Sequence, residues 1–214
     1  MRGIPLAKEG LVFVVPALVL SLLFLALQLY VVSLICFFLF LFFTYFFRNP
    51  KRIGKSTAAE LTAPADGRVM GIEEITEEEF LKGRATRVST FMGLADVHVN
   101  RAPCDGVVSR VSHKPGRYGL AFKKDVDKEN EKNYILLEKG NEKLLVVQIA
   151  GFLARRIHCW VRERDVVRKG DPLGMIAFGS RVDIYIPPGY EIMVQLGQKV
   201  KSGLTPLAKK KGQT

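Results

Sequence analysis

Histidine is scarce in this chain, and the scarcity limits the chemistry open to it. His98, His113 and His158 are the three histidines among 214 residues. None lies two or four residues from another, which is the spacing that brings two imidazoles to one zinc ion on a strand or a helix. We therefore expect no metal at the functional site and no zinc-dependent hydrolysis.

Around His98 the sequence alternates as a β-strand does. Val97 and Val99 are interleaved with three polar residues, Asp96, His98 and Asn100. Side chains two residues apart on a strand point to the same face, so the two valines should face a core. For the polar face, periodicity alone favours contact with solvent.

Gly179 and Ser180 form a second place where chemistry is conceivable. Glycine has no side chain to shield its carbonyl carbon, and a serine hydroxyl can attack such a carbon once a base removes its proton. Most Gly-Ser pairs are ordinary loops, so the pair by itself favours a loop.

The elements that would position these residues are mainly β-strands. Beyond the first 60 residues, short apolar runs, several with period-two alternation, are punctuated by glycine and proline. The predicted strands lie near residues 67–74, 86–92, 96–101, 106–112, 133–139, 143–150, 156–162, 173–178 and 181–186. Many short strands with regular turns indicate a small β-sandwich or barrel-like domain. One helix is expected here, from the capping residue Thr76 through three glutamates to Leu81.

Two segments share the pattern A-P-x-D-G-x-V, at residues 63–69 and 102–108. Proline presets φ and Asp-Gly suits a tight turn, so ordinary turn chemistry explains the pattern. The alternative is a fold of two related halves, each entered through the same turn. The sequence leaves both explanations open.

The N-terminal part has a different composition. No charged residue occurs from Leu11 to Phe47, whereas one membrane-spanning helix needs about 20 residues. Basic residues flank the run on both sides, and the positive-inside tendency then places both flanks in the cytoplasm. We expect a cytoplasmic N-terminus at residues 1–10 and an α-helical membrane hairpin of two short helices at residues 11–47.

The net charge of +11 calls for an acidic partner. Basic residues are mixed with acidic ones and form no stripe interleaved with aromatic residues, so we expect a membrane surface and no nucleic acid. The three cysteines form neither a paired framework nor a C-x-x-C motif, which indicates a reducing compartment. We expect a basic linker at residues 48–62 and a β-rich catalytic domain at residues 63–214.

Several ordered motifs together resemble the phosphatidylserine decarboxylase family, especially its short form, over nearly the whole chain. These motifs are FFRNP at 46–50, APADGRV at 63–69, FMGLADVHVNRAPCDGVV at 91–108, PGRYGLAF at 115–122, NEKN at 130–133, VVQIAGFLARRI at 146–157 and FGSRVDIYIP at 178–187. Their order and spacing make the resemblance far more specific than any one of them.

The resemblance implies that the chain cuts itself between Gly179 and Ser180, giving a heterodimer of residues 1–179 and 180–214. Ser180 would become a pyruvoyl group, which serves as covalent cofactor without a metal. By motif position, Asp66 would be the orienting acid, His98 the base and Ser180 the nucleophile. Longer members carry a second histidine where Arg101 stands here, so His98 would have to serve both self-cleavage and decarboxylation.

The resemblance also implies a substrate, phosphatidylserine, which would be converted to phosphatidylethanolamine at the cytoplasmic side of the cell membrane. A glycine-containing stretch and the nearby Arg117, Lys123 and Lys124 could hold the phosphodiester, although a polar loop explains them as well. The basic residues after the apolar run either attract anionic lipid or form a solvated tether. They are Arg48, Lys51, Arg52 and Lys55.

Two other functions compete with this one. A lipoyl-like or biotinyl-like carrier module has turns similar to Lys169–Gly174, but it needs a lysine in an M-K-M or D-K-A motif, and neither motif occurs. A membrane-tethered peptidase of barrel-like fold would need an H-x-H pair and a metal. The histidine spacing argues against it.

Overall fold

The computed structural model describes residues 5–52, 54, 56–116, 130–151, 156–177 and 180–212. The chain divides into two compact units, Met1–Lys51 and Arg52–Thr214. The predicted linker at residues 48–62 does not coincide with this division, because part of it belongs to the second unit.

The first unit is a helical hairpin. A short 3-10 turn, Lys8–Gly10, leads into α1 (Leu11–Ala26), and α2 (Tyr30–Phe46) follows after three residues. The chain reverses without glycine or proline because Gln28 adopts a positive φ of 59°. The Ser33 hydroxyl donates to the Ser21 carbonyl at 2.8 Å and the Ser21 hydroxyl donates back at 3.1 Å, which satisfies both polar groups between apolar helices.

The two helices expose many apolar side chains, and contact of such a surface with water is unfavourable. Val12 and Val31 are each 73% exposed, and most other large apolar side chains of α1 and α2 are exposed too. Lys8–Ala26 is 19 residues long with a mean hydropathy of 2.4, so length and composition allow it to cross a membrane. α2, with 17 residues, is shorter than the usual span of about 20.

The second unit is built from short strands. In the described residues they are β1 (Glu60–Thr62), β2 (Gly67–Glu77), β3 (Gly83–Met92), β4 (Val99–Arg101), β5 (Gly106–Lys114), β6 (Lys132–Lys139), β7 (Glu142–Ala150), β8 (Ile157–Cys159), β9 (Val166–Val167), β10 (Pro172–Ile176), β11 (Ser180–Ile186), β12 (Tyr190–Ile192), β13 (Lys199–Val200) and β14 (Pro206–Lys210). The prediction of a mainly β fold with an N-terminal apolar helical segment is confirmed.

The strands form one large antiparallel sheet and two small ones. The large sheet has the order β13-β2-β3-β11-β7-β6-β5-β9, and the small sheets have the orders β1-β14-β12 and β4-β10-β8. A main core of buried aliphatic residues includes Leu61 of β1, Leu173 of β10 and Ile184 of β11. This core draws on all three sheets.

The two A-P-x-D-G-x-V segments make equivalent contacts. The Thr62 N–H donates to the Pro103 carbonyl at 2.9 Å, and the Arg101 N–H donates to the Pro64 carbonyl at 2.8 Å. Each segment then enters a strand that pairs with a two-residue strand, β2 with β13 and β5 with β9. The fold therefore contains two related halves, as the second explanation of the repeat required.

One half is inserted into the other. Strands β4–β10 are continuous in sequence, whereas their counterparts are β1–β3 followed by β11–β14. In the continuous half, β6 and β7 form a tight hairpin in which Lys139 faces Glu142. The corresponding pair in the interrupted half is Met92 of β3 and Ser180 of β11. Ser180 thus lies where the chain returns from the inserted half.

The predicted helix from Thr76 to Leu81 is wrong. β2 continues through Glu77, which pairs with Gly83 of β3. The Glu77 carboxylate accepts the backbone N–H groups of Glu79, Phe80 and Leu81, and so it satisfies in a hairpin loop the donors that a helix start would leave unpaired. Cross-strand pairing overrides the local helix signal.

Strand ends differ from the predictions where the elements are short. The strand expected at residues 96–101 begins only at Val99, and the one expected at 156–162 spans Ile157–Cys159. Five short strands, β1, β9, β12, β13 and β14, were not predicted. Runs of two to five residues are too brief to show a period.

Candidate active site

Ser180 is the first residue of β11 and is fully buried. It pairs with Met92 of β3 on one side and with Ala150 of β7 on the other. Its hydroxyl donates to the Met92 sulfur at 3.4 Å, and a thioether is a weak acceptor. The nucleophile that the sequence predicts is therefore held at a strand end in a dry environment.

His98 directly precedes β4, and the small sheet β4-β10-β8 brings it to the same region. Met175 of β10 pairs with Val99, and the Ile176 N–H donates to the His98 carbonyl at 3.4 Å. Ile176 precedes Ser180 by four residues, so chain connectivity keeps these two Cα atoms within about 14 Å. The fold brings the segments of His98 and Ser180 to the same end of β11.

The His98 ring has a defined orientation. Nδ1 lies 3.0 Å from the backbone carbonyl oxygen of Asp96, and the residue is fully buried. A carbonyl oxygen only accepts hydrogen bonds, so Nδ1 carries the proton in this contact and the neutral ring has its lone pair on Nε2. This tautomer suits a general base acting from Nε2.

Asp66, which directly precedes β2, lies in an ion pair. Its carboxylate accepts two hydrogen bonds from the Arg52 guanidinium, one of them at 2.7 Å, and one from the Ser202 N–H at 2.8 Å. Burial would raise the pKa of Asp66, but the hydrogen bonds and charge of Arg52 outweigh it and hold that pKa below its usual value. Asp66 is therefore ionised at neutral pH.

These contacts are not those expected of an acid that orients His98. In the described part of the chain, the hydrogen bonds to the Asp66 carboxylate come from Arg52 and Ser202. Ser202 links Asp66 to the residue after His98, since its hydroxyl donates to the Val99 carbonyl at 3.4 Å. The orienting role of Asp66 stays a prediction.

Arg101 stands near Asp66 on the same side. Burial and the nearby charge of Arg52 lower the pKa of Arg101 to about 10, and the charge of Asp66 partly opposes this. The Arg101 guanidinium also donates to the Gly170 carbonyl at 2.9 Å. Asp66 is thus hydrogen-bonded to Arg52, whereas it influences Arg101 through its charge.

The structure corrects the expectation for Arg52. Its side chain is 6% exposed and is engaged by Asp66, so it serves neither as a lipid-facing cation nor as a solvated tether. Arg48, in the first unit, is partly exposed, and its side chain donates to the Tyr45 carbonyl at 2.7 Å.

The solvated polar face predicted around His98 is wrong. His98 and Asn100 are fully buried, and only Asp96 is partly exposed. The Asp96 carboxylate accepts the Gly93 N–H at 2.9 Å and so closes the turn after β3. Alternation could not show that Asn100 meets Met92 and Gln148 of the large sheet, and Val97 and Val99 are buried as well, so the whole segment is enclosed.

Sequence reasoning missed a buried chain of amide side chains beside Ser180. The Asn133 amide donates to the Gln148 oxygen at 2.9 Å, and the Gln148 amide donates to the Asn100 oxygen at 2.8 Å. The Asn100 amide then donates to the Met92 sulfur at 3.5 Å, the atom that Ser180 also contacts. The only available signal was polar residues inside strands that are otherwise apolar.

Several predicted site residues lie outside the described residues. They are Gly179 of the cleavage site and Arg117, Lys123 and Lys124 of the substrate-binding prediction. Across the residues that are described, no group of three or more His, Cys, Asp or Glu side chains could hold a metal ion.

Comparisons with known proteins place the chain in a family. The family model described as phosphatidylserine decarboxylase matches residues 39–208. A phosphatidylserine decarboxylase proenzyme of Carboxydothermus hydrogenoformans is 43% identical over 206 residues, which cover 96% of each chain. A protein of the same name from Syntrophus aciditrophicus is 44% identical over 168 residues, covering 78% of this chain and 79% of that protein.

A third relative, from Desulfotalea psychrophila, has the same name and is 36% identical over 203 residues, or 94% of this chain. The matched region contains the whole of the buried site, from Asp66 through His98 and Asn100 to Ser180. The chain therefore belongs to the phosphatidylserine decarboxylase family of carboxy-lyases, whose members here are made as proenzymes.

Proposed function

We propose that this chain cuts itself between Gly179 and Ser180 and then decarboxylates phosphatidylserine to phosphatidylethanolamine through a pyruvoyl group formed from Ser180. The observation that carries the proposal is the position of Ser180. It is buried as the first residue of β11, and the His98 segment lies near the same end of that strand. The names of the relatives support phosphatidylserine as the substrate.

Self-cleavage would begin at the Ser180 hydroxyl. His98 Nε2 removes the hydroxyl proton, Oγ bonds to the Gly179 carbonyl carbon, and the carbonyl electrons move onto its oxygen. The C–N bond then breaks, and the imidazolium returns its proton to the leaving nitrogen, which gives an ester. β-Elimination then removes the Cα proton of residue 180 and breaks its Cβ–Oγ bond, so Gly179 leaves as a carboxylate and residue 180 becomes dehydroalanine. Water hydrolyses the imine tautomer of this group, which releases ammonia and leaves the pyruvoyl group at the start of residues 180–214.

The strand pairing fits this precursor role. β11 is hydrogen-bonded along its length to β3 and to β7, from Ser180 to Ile186 and from Ser180 to Tyr185 respectively. The cut and the loss of the Ser180 nitrogen affect the first residue of β11 alone, and the pairing from Arg181 onward stays intact in both ladders. The small chain would therefore stay bound to the large one as a heterodimer.

The pyruvoyl group would supply a ketone that forms a Schiff base with the substrate amine and withdraws electrons as carbon dioxide leaves. The protein's part is to hold the lipid headgroup at the start of β11 and to return one proton to the substrate carbon. His98 is the candidate for this proton, since its Nε2 is the basic nitrogen of the tautomer in the structure. Arg117, Lys123 and Lys124 are proposed to bind the phosphodiester.

The apolar hairpin would anchor the enzyme in the membrane. Acyl chains stay in the bilayer, so an enzyme acting on the headgroup benefits from an anchor, and Lys8–Ala26 is long and apolar enough to cross. The basic residues on both flanks support a catalytic unit on the cytoplasmic side. The carrier-module alternative is not favoured, because the family shown is enzymatic.

Intact mass after expression tests this function. The wild type should give two fragments that separate after residue 179, and vesicles containing phosphatidylserine should yield phosphatidylethanolamine. Ser180→Ala should remain one chain without activity. Ser89→Ala, a matched change at a buried serine of β3, should be cut normally. An uncut wild type, or carbon dioxide release by Ser180→Ala, would contradict the proposal.

A further inference from the structure

The amide chain of Asn133, Gln148 and Asn100 ends on an acceptor that is poor for it. All three side chains are at most 2% exposed. A buried amide donor normally finds an oxygen, because an unsatisfied or weakly satisfied donor costs about 1–3 kcal/mol. In the described part of the chain, the Asn100 donor instead meets the Met92 thioether at 3.5 Å.

The direction of the chain follows from its contacts. Asn133 donates to Gln148 and Gln148 donates to Asn100, so the Asn100 oxygen is occupied and its NH₂ group is the end that faces Met92. The strand register supports this arrangement. Gln148 pairs with Val182, two residues after Ser180, which puts Gln148 and Ser180 on the same face of the sheet.

The Ser180 hydroxyl contacts the same sulfur atom at 3.4 Å. The Asn100 amide and the Ser180 hydroxyl are thus two buried donors that share one weak acceptor, and both could form a stronger hydrogen bond to an oxygen. When Ser180 Oγ attacks a carbonyl carbon, the oxyanion that forms is two bonds from Oγ. A full negative charge on oxygen accepts hydrogen bonds far better than a thioether does.

We propose that Asn100 is a catalytic hydrogen-bond donor to this oxyanion during self-cleavage, and that Gln148 and Asn133 are positioning residues that fix the direction of its amide. The inference rests on the proposed function, since it concerns the intermediate of the Ser180 attack. The donor is held before the reaction begins, and in a dry site such a preset donor stabilises developing charge strongly.

Asn100→Asp tests the donor with almost no change of volume. The carboxylate keeps the acceptor that Gln148 uses but removes the N–H. Self-cleavage of freshly made precursor, followed by intact mass, should slow by about 10²- to 10³-fold, the usual loss for one oxyanion donor. If the Asn100 oxygen rather than its NH₂ faced Ser180, the variant would cleave at or above the wild-type rate, and the proposal would be overturned.

Gln148→Glu tests the positioning role. Its carboxylate can accept from both asparagines, so the Asn100 amide should turn its NH₂ group away from Ser180. We expect a loss similar to that of Asn100→Asp, and the two changes combined should cost little more than either alone. Thermal melting of each precursor shows that it is folded, and either folded variant suffices for the test.

Thr90→Val is the matched control. Thr90 is fully buried and pairs with Val182 on the same face, but its hydroxyl takes no part in the amide chain. It should cleave at the wild-type rate. An uncut wild type would refute the self-cleavage proposal itself, whereas a cut wild type together with unimpaired Asn100→Asp and Gln148→Glu would overturn only the role of Asn100.

Discussion

Arg52 follows the apolar region in sequence, yet its guanidinium belongs to the interior of the β unit. It donates to both Asp66 oxygens and also to the Ser202 carbonyl and hydroxyl. These hydrogen bonds satisfy the charges of both side chains, and removing one partner of such a buried ion pair strongly destabilises a fold. At the scale of single residues, the ion pair is what fixes Asp66.

Arg52→Met should therefore destabilise the fold by about 3 kcal/mol, because it leaves the Asp66 carboxylate buried without its cation. Urea unfolding measures this. Arg84→Met, at an exposed arginine, should change the free energy of unfolding by less than about 0.5 kcal/mol. Equal effects of the two changes would contradict the importance of the pair.

The same pair predicts a pH dependence. The pKa of Asp66 is below its usual value in the folded state, so its contribution to stability is present above the pKa of the unfolded chain and is lost as pH falls through the folded pKa. In Arg52→Met the cation that lowers the pKa of Asp66 is gone and burial raises that pKa, so protonation of Asp66 at acid pH should stabilise the variant, and the acid loss of stability that the wild type owes to Asp66 should disappear. Unfolding midpoints measured across the acid range distinguish the two curves.

At the scale of elements, the entry turns of the two halves are under tight backbone constraint. Gly67 has a φ of 146°, and a Cβ there would lie within 2 Å of the Phe91 carbonyl oxygen. A Cβ at Gly106, its counterpart, would lie 2.5 Å from the Glu138 carbonyl oxygen. The glycine of the repeat is thus needed twice, since each turn brings one backbone against another.

Gly67→Ala should consequently destabilise the β unit by about 3 kcal/mol or more, since a backbone carbonyl cannot move aside easily. Gly83→Ala is the matched control, because its Cβ would meet only one atom, at 3.9 Å. Thermal unfolding of the two variants compares them. A Gly67→Ala protein as stable as the control would show that the β2–β3 ladder can shift.

At the scale of the whole molecule, the nested arrangement of the halves is consistent with the position of the proposed cleavage site. The continuous half closes β6 onto β7 with a short turn, whereas the interrupted half closes β3 onto β11 only after the whole inserted half. A break at that return leaves β3 and β11 paired in the large sheet, so we expect a chain cut there to remain folded.

The division into two units predicts separable tasks. A chain starting at Lys51 keeps Arg52 and every strand, so it should still cut itself at residue 179 but should no longer sediment with lipid vesicles. The full-length chain should do both. Loss of self-cleavage in the shortened chain, measured by intact mass, would show that the apolar hairpin is needed for the chemistry as well as for anchoring.

The sequence by itself determined the class of the fold and the approximate place of nine strands, because alternation and turn residues are local signals. It also determined the apolar hairpin, by its length without charge, and the family, by ordered motifs around His98 and Ser180. These features depend on residues that are near one another in the chain.

Tertiary structure alone decided which polar residues are buried and what they bind. Asp66 meets Arg52 and Ser202, and Asn100 meets Gln148, because folding makes neighbours of residues that are 14, 136 and 48 positions apart in the chain. The false helix after Thr76 has the same cause, since pairing with β3 outweighs a local capping signal. Contacts that join distant strands depend on register and layer order, and a local period contains neither.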